Sequence, residues 1–166
     1  MTQEEHNYFR IKPIGIIHSP FTKAVGTPIQ SALAKGAEGW IDVLPAFAEG
    51  LADLDGFERI WLLYWFHKAS KTKLKVKPYL DTNERGLFAT RAPCRPNPIG
   101  ISAVQLLRIS GQRLYVADID ILDKTPLLDI KPYVPKFDYF EVKRFGWIEK
   151  IQAETRKANG RFYEKE

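Results

Sequence analysis

Eleven glycines and eleven prolines cut this chain into short runs rich in β-branched and aromatic residues. Runs of that length suit strands better than helices, and no repeated βαβ alternation appears among them. Residues 14–17 (IGII), after the alternating FRIK of 9–12, read as an opening strand, and 40–44 (WIDVL) as a second. Residues 57–66 (FERIWLLYWF) are apolar at nearly every position after Arg59, the pattern of a strand buried on both faces. Another short strand is expected at 86–90. The clearest pair is 99–109 with 113–122, joined by Ser110-Gly111-Gln112, a loop whose length and glycine suit a hairpin. A last strand-like run, 127–134, is interrupted by Pro132.

Helical signals are few. Residues 46–54 (AFAEGLADL) read as one or two turns stopped by Asp55-Gly56, and 147–158 as a modest amphipathic helix stopped by Asn159-Gly160. The expected fold is therefore mainly β, a closed or nearly closed barrel, antiparallel or mixed, with short peripheral helices and a C-terminal helix. One domain spans 1–166, with its core at about 9–140, and the first seven residues or so read as unstructured. Residues 70–77 and 81–85 read as mobile loops.

Several function classes fall away. No dinucleotide fingerprint, P-loop or nucleophile elbow occurs, and His6, His18 and His67 stand far apart with the single Cys94, too little for a zinc site. The expectation is no metal. One cysteine allows no intrachain disulfide. The longest apolar stretch, 60–66, falls far short of the ~20 residues of a membrane span. The first six residues resemble no secretory signal, so the cytoplasm and no membrane partner are expected. A net charge of +5 and a pI near 9.3 favour polyanionic partners without naming one.

The densest segment is Thr90-Arg91-Ala92-Pro93-Cys94-Arg95-Pro96-Asn97-Pro98-Ile99-Gly100-Ile101-Ser102. Its three prolines fix φ and bias their predecessors toward extended geometry, so two guanidinium groups and an amide are held at fixed spacing. A stiff loop loses little entropy on binding. Arg91, Arg95 and Asn97 are accordingly candidate ligand contacts, while arginines that cap carbonyls within a rigid loop fit the segment equally well. Lys71, Lys73, Lys75 and Lys77 alternate with Thr72, Leu74 and Val76, which puts the ammoniums on one side if the stretch is extended. Lys73 and Lys75 then either follow an RNA backbone or guard a sheet edge.

This segment closely resembles the R-[SA]-P-x-R-P-N-P-[IL]-G-[LIM]-S signature of the TrmO (TsaA-like) family. Four other blocks resemble the family in the same order: IGIIHSPF at 14–21, residues 26–30, FERIW with WFH at 57–61 and 65–67, and the D-x-x-D-x-T-P…D-I-K-P-Y block at 120–133. The resemblance implies a small barrel that pairs as a homodimer and binds S-adenosylmethionine near the subunit interface. It also implies a tRNA substrate, methylated at N6 of threonylcarbamoyl-adenosine beside the anticodon. Carried over, the cofactor contacts are Pro28, Ile29, Gln30, His67, Lys68, Arg91, Ile101, Ile121, Leu122, Asp123 and Lys124.

The acceptor nitrogen of such a base is conjugated to a carbonyl and poorly nucleophilic, so a nearby proton acceptor helps. Asp129 and Tyr133 are the candidates, with Lys131 on the threonyl carboxylate. Asp118, Asp120 and Asp123 read most simply as solvent-facing charges at strand ends. Three features depart from the family pattern: Lys124 stands where glycine is usual, Lys68 where an acid is common, and the chain stops after one expected helix. A methyltransferase acting on a small molecule, or a non-catalytic barrel that binds RNA or a nucleoside, is the competing reading.

Overall fold

A computed structural model describes residues 9–151 and 157–164. The start expected to be unstructured lies outside the described residues up to Phe9. Six strands close an antiparallel barrel: β1 (Gly15–His18), β2 (Gly39–Val43), β3 (Arg59–Trp65), β6 (Ile99–Ser110), β7 (Arg113–Ala117) and β8 (Thr125–Pro132). Their order around the wall is β1, β2, β7, β6, β3, β8, and β8 returns to pair with β1. A separate ribbon pairs β4 (Lys75–Val76) with β5 (Arg85–Gly86). Two single-turn helices, α1 (Ser31–Ala34) and α2 (Pro135–Asp138), stand outside the wall.

Period-2 alternation drives closure. Ile17, Ile41, Ile60, Leu62, Val104, Leu114, Val116 and Leu127 are fully buried in one cluster, and the intervening positions face outward. Burying each such side chain stabilises the fold by roughly 1.5–3 kcal/mol. β3 corrects the sequence reading: Ile60, Leu62 and Tyr64 point in, whereas Trp61, Leu63 and Trp65 are only half-buried on the outside. Burial on one face, not both, is what a barrel strand experiences.

The hairpin between β6 and β7 is tighter than expected. Ser110 already pairs with Arg113, which leaves a two-residue turn with Gly111 at φ 59°. A positive φ at the first turn position matches the right-handed twist of the flanking strands. β7 ends at Ala117 and not near 122, because Asp118 turns left-handed at φ 62°. The carboxylate of Asp118 accepts the Gly36 N–H at 2.8 Å and pairs with Arg59 at 2.7 Å, locking that turn to β3.

Other expectations shift in detail. Residues 46–54 form a 3-10 helix at Pro45–Leu51 and a second begins at Leu54. The run at 86–90 is a strand only at Arg85–Gly86 and then a 3-10 turn at Leu87–Ala89. Both loops expected to be mobile contribute to the β4–β5 ribbon, where Asp81 also pairs with Arg85. The helix expected over 147–158 is a 3-10 helix at Gly146–Lys150; residues 152–156 lie outside the described ones, and Lys157 makes a β-bridge with Pro28.

Gly100, the second residue of β6, leaves no room for a side chain. An added Cβ there would collide with the ring of Tyr64 and crowd Phe66. Tyr64 is itself buried and pairs with Gly100 across the β3–β6 ladder, so neither backbone nor ring can yield cheaply. Gly100→Ala is expected to cost roughly 1–3 kcal/mol, as overpacking does. Thermal unfolding should record this as a melting temperature several degrees lower, and an unchanged value would mean that Tyr64 moves freely.

Candidate functional site

The proline-rich loop is braced from within. The Arg95 guanidinium donates to the carbonyls of Thr90 at 3.0 Å and Ala92 at 3.4 Å and lies over the Phe88 ring. The Cys94 carbonyl accepts the Lys73 N–H, and the Pro98 carbonyl accepts that of Phe66. Held this way, the loop roofs a cavity of about 640 Å³, within the range of small-molecule sites.

The cavity's walls come from five places. Thr27, Pro28, Ile29 and Gln30 form one side, and Tyr64 and Phe66 at the end of β3 form another. Tyr79 and Phe88 approach from around the small ribbon, Arg91, Arg95 and Ile101 from the loop and β6. The fifth wall is the chain end: Trp147, Ile148, Ala158, Phe162 and Tyr163. That tail is stitched in by backbone bonds, Ala158 N–H to Thr27 at 2.7 Å, Gly26 N–H to Ala158 at 2.9 Å and Ser70 N–H to Phe162 at 2.9 Å. The Trp147 indole N–H donates to the Ala89 carbonyl at 2.7 Å.

Most of the expected cofactor residues converge here. Pro28, Ile29, Gln30, Arg91 and Ile101 line the cavity, and the Arg91 guanidinium donates to Gln30 Oε1 at 2.8 Å. His67, Lys68, Ile121 and Leu122 line a small adjoining hollow that shares Tyr64, Phe66, Asp120 and Tyr163 with it. Burial and the nearby Lys68 ammonium hold the His67 imidazole below its ordinary pKa. Thr125 Oγ1 lies 3.3 Å from its Nδ1 and donates to the Leu122 carbonyl. Asp123 and Lys124 line neither space. Asp123 accepts the Ser19 N–H and sits 3.4 Å from His18, whose other nitrogen faces Asp42. Lys124 is exposed at φ 62°, so the position where the family usually has glycine keeps the left-handed conformation that glycine adopts without strain.

The other expected residues stand elsewhere. Asp129, Lys131 and Tyr133 do share one side, since the Leu63/Tyr64 register shift turns Asp129 outward. Asp129 pairs with Lys131 at 2.8 Å, and Tyr133 leans on Trp61. None of the three lines the cavity of its own chain. Asn97 is exposed outside it, and Lys73 and Lys75 are exposed on and beside the ribbon. Of the stretch with alternating lysines only Lys75 and Val76 are in a strand, and Leu74 between Lys73 and Lys75 is 66% exposed. Among the described residues there is no metal-binding cluster, and no helix is long and apolar enough to cross a membrane.

Asp120 is the residue that sequence reasoning undervalued. It faces both hollows, and Ser102 Oγ donates to its Oδ1 at 2.6 Å. Because Ser102 has one proton and gives it to Asp120, the buried Tyr64 hydroxyl, 3.1 Å away, donates to Ser102. Burial raises the Asp120 pKa to about 6, against the opposing pull of the Ser102 hydrogen bond and of Arg91. A signal did exist, since Asp120 opens the D-x-x-D-x-T-P block, but nothing local separates it from a strand-end charge.

A carboxyl raised from its ordinary value to about 6 in the fold binds its proton more tightly when folded. That stabilisation is complete below about pH 4 and is lost as pH rises through about 6, so the ionised group costs roughly 1–3 kcal/mol at pH 8. Asp120→Asn is therefore expected to gain more stability over the parent at pH 8 than at pH 4. Denaturant titrations at both values check this, and equal differences would show that the carboxylate's charge is not strained.

The chain resembles proteins of established kind. Residues 16–139 match the tRNA-methyltransferase O N-terminal domain family. A probable S-adenosyl-L-methionine-binding protein of Pyrococcus abyssi is 53% identical over 154 residues, covering 92% of this chain and 84% of that protein. A mouse tRNA (adenine(37)-N6)-methyltransferase is 34% identical over 76% of this chain and 31% of its own length. The crystal structure of TrmO from Pseudomonas aeruginosa superimposes with a TM-score of 0.71 at 41% identity, over 84% of this chain and 62% of that one. The chain thus spans under two thirds of the solved TrmO chain and about a third of the mouse enzyme.

Proposed function

Because the chain belongs to the tRNA-methyltransferase O N-terminal domain family, we propose that it is an S-adenosylmethionine-dependent tRNA methyltransferase acting on N6 of threonylcarbamoyl-adenosine beside the anticodon. The observation that carries this reading is the cavity itself, where Arg91 and Asp120 bring opposite charges into an aromatic-walled space of about 640 Å³. Adenosine suits the rings of Tyr64, Phe66, Phe162 and Tyr163, and the amino-acid end suits the charges.

The cofactor, when bound, supplies an electrophilic methyl group. Arg91 anchors the carboxylate, and the Ile121-Leu122 segment beside His67 bounds the far end of the site. Fixing donor and acceptor in line is worth roughly 7–11 kcal/mol of barrier. Acceptor-side chemistry falls to Asp129 as proton acceptor, with Lys131 and Tyr133 beside it. As these side chains lie outside their own chain's cavity, the role goes with a homodimer whose cofactor sits near the subunit interface. Exposed Phe137, Tyr139, Phe140, Val142 and Phe145, directly after β8, supply apolar surface for such pairing. Arg95, Asn97, Lys73 and Lys75 then serve the RNA, and the reaction belongs in the cytoplasm, where the free thiol of Cys94 is at home.

Calorimetric titration with S-adenosylmethionine, followed by mass spectrometry of nucleosides from treated tRNA, tests the reading. Arg91→Ala should weaken cofactor binding tenfold or more, the loss of a charge-assisted contact of about 1.5–3 kcal/mol. Parental affinity in the folded variant would remove Arg91 from the site, and an unmodified tRNA pool would refute the acceptor. Asp129→Asn is expected to lower turnover by about 10²–10⁴ while cofactor affinity holds. Undiminished turnover in a chain that still sediments as a dimer would exclude Asp129 as the base.

A further inference from the structure

Among the described residues lining the cavity, Asp120 is the single acid, set against the two guanidinium groups of Arg91 and Arg95. A ligand with a cationic end would otherwise meet only like charge there. Its carboxylate is also incompletely used. Ser102 Oγ, Asp120's own backbone N–H and the Ser31 backbone N–H address it, and no ion pair among the described residues takes up what remains of its acceptor capacity. Asp120 further stands where the main cavity meets the hollow of Ile121 and Leu122, so a ligand reaching from Arg91 toward that hollow passes it.

We propose that Asp120 binds the α-ammonium group of the cofactor's amino-acid end while Arg91 holds the carboxylate, the two side chains together reading a zwitterion. The proposal rests on the cofactor reading above and gives the Asp120 charge one definite partner within it. Opposite charges in one wall match an amino acid better than they match a sulfonium, which has one sign and no proton to donate. An ammonium offers three donors to a carboxylate with acceptor positions to spare.

The fold holds this charge at a cost, since burial pushes the Asp120 carboxyl up to about 6. The groups that face it are Arg91 from the loop, Tyr64 from β3 and Tyr163 from the tail, with His67 and Lys68 across the shared hollow. Burial keeps both tyrosines neutral far above physiological pH. Burial and the Lys68 ammonium hold His67 below its ordinary value, so it is a neighbour that gains its proton only on the acid side of that value.

Three probes separate the possibilities. S-adenosylmethionine has ammonium and sulfonium, S-adenosylhomocysteine keeps the ammonium without the sulfonium charge, and 5′-methylthioadenosine lacks the amino acid. By calorimetry at pH 7.5, Asp120→Asn should bind the first two tenfold or more weakly than the parent, with the third changed by less than about twofold. Equal loss for methylthioadenosine would assign Asp120 to the nucleoside, loss for S-adenosylmethionine alone would assign it to the sulfonium, and no loss would leave it outside the ligand. Each of these overturns the proposal. The parent gives a second measurement that does not depend on how the variant folds. Its affinity for S-adenosylhomocysteine should fall as pH drops from 7.5 through 6 to 5, while that for methylthioadenosine holds. A parallel fall of both would overturn the proposal and point to His67. A parent that binds none of the three would defeat the cofactor reading along with it, whereas binding of methylthioadenosine alone would defeat only the zwitterion pair.

Discussion

Closing six strands on themselves leaves none of them a free edge, and this commitment decides where chemistry can sit. A barrel this narrow is filled by its own side chains, here Ile17, Ile41, Ile60, Leu62, Val104, Leu114 and Leu127, so no ligand can occupy the lumen. Space opens at the end of the barrel where β3 finishes and β6 begins. There Tyr64 lies against Gly100, Ser102 points to Asp120, and the stiff loop before β6 folds over the top. The cavity is thus a product of closure: the wall supplies the floor, the stiff loop the roof, and the tail is tied in through Gly26, Thr27 and Ser70.

How much of this was legible depended on how local each cause was. The β6–β7 hairpin could be read because Gly111 must adopt a positive φ at a turn, a property of one residue. The stiff loop could be read because prolines impose their geometry wherever they stand. The faces of β3 could not, since Trp61, Leu63 and Trp65 are apolar on the outside of the wall too, and composition gives no hint which side is which. Asp120 was misjudged for a related reason. An aspartate between two isoleucines looks like any strand-end charge, and only Ser102 from β6 and Tyr163 from the tail make it a half-buried group. The tail wall was invisible as well, because the bridges Pro28 to Lys157 and Ala69 to Tyr163 join positions far apart in sequence without any periodic signal.

The electrostatics of the fold divide into two kinds of aspartate. Asp118 and Asp42 meet arginines directly, Asp118 with Arg59 and Asp42 with a two-pronged Arg113, and both have their pKa lowered, Asp118 first by the Gly36 N–H and then by Arg59, Asp42 first by Arg113. They tie strand to strand or turn to strand and gain from being charged. Asp120 has no such partner among the described residues and is pushed the other way. A group kept in a state that the apo fold disfavours is where stability and function pull apart, since a neutral residue there would fold better and meet a cationic ligand worse.

The cavity's last wall bears on how relatives of different length compare. The family match ends at residue 139, yet Trp147, Ile148, Ala158, Phe162 and Tyr163 all line the cavity. Tyr163 reaches Asp120 electrostatically and Phe162 packs on Tyr79, so the tail sets both the size of the site and the dielectric around its one acid. Water would enter the hollow beside Asp120 without those rings, the carboxyl would return toward its ordinary value, and its attraction for a cation would weaken with the rising dielectric. A chain that shares the barrel but carries a different tail therefore keeps the floor, the loop and Arg91, while losing or rebuilding the surroundings that make Asp120 strong. Differences in ligand affinity among such proteins should then follow the residues after the matched domain more closely than those of the barrel itself.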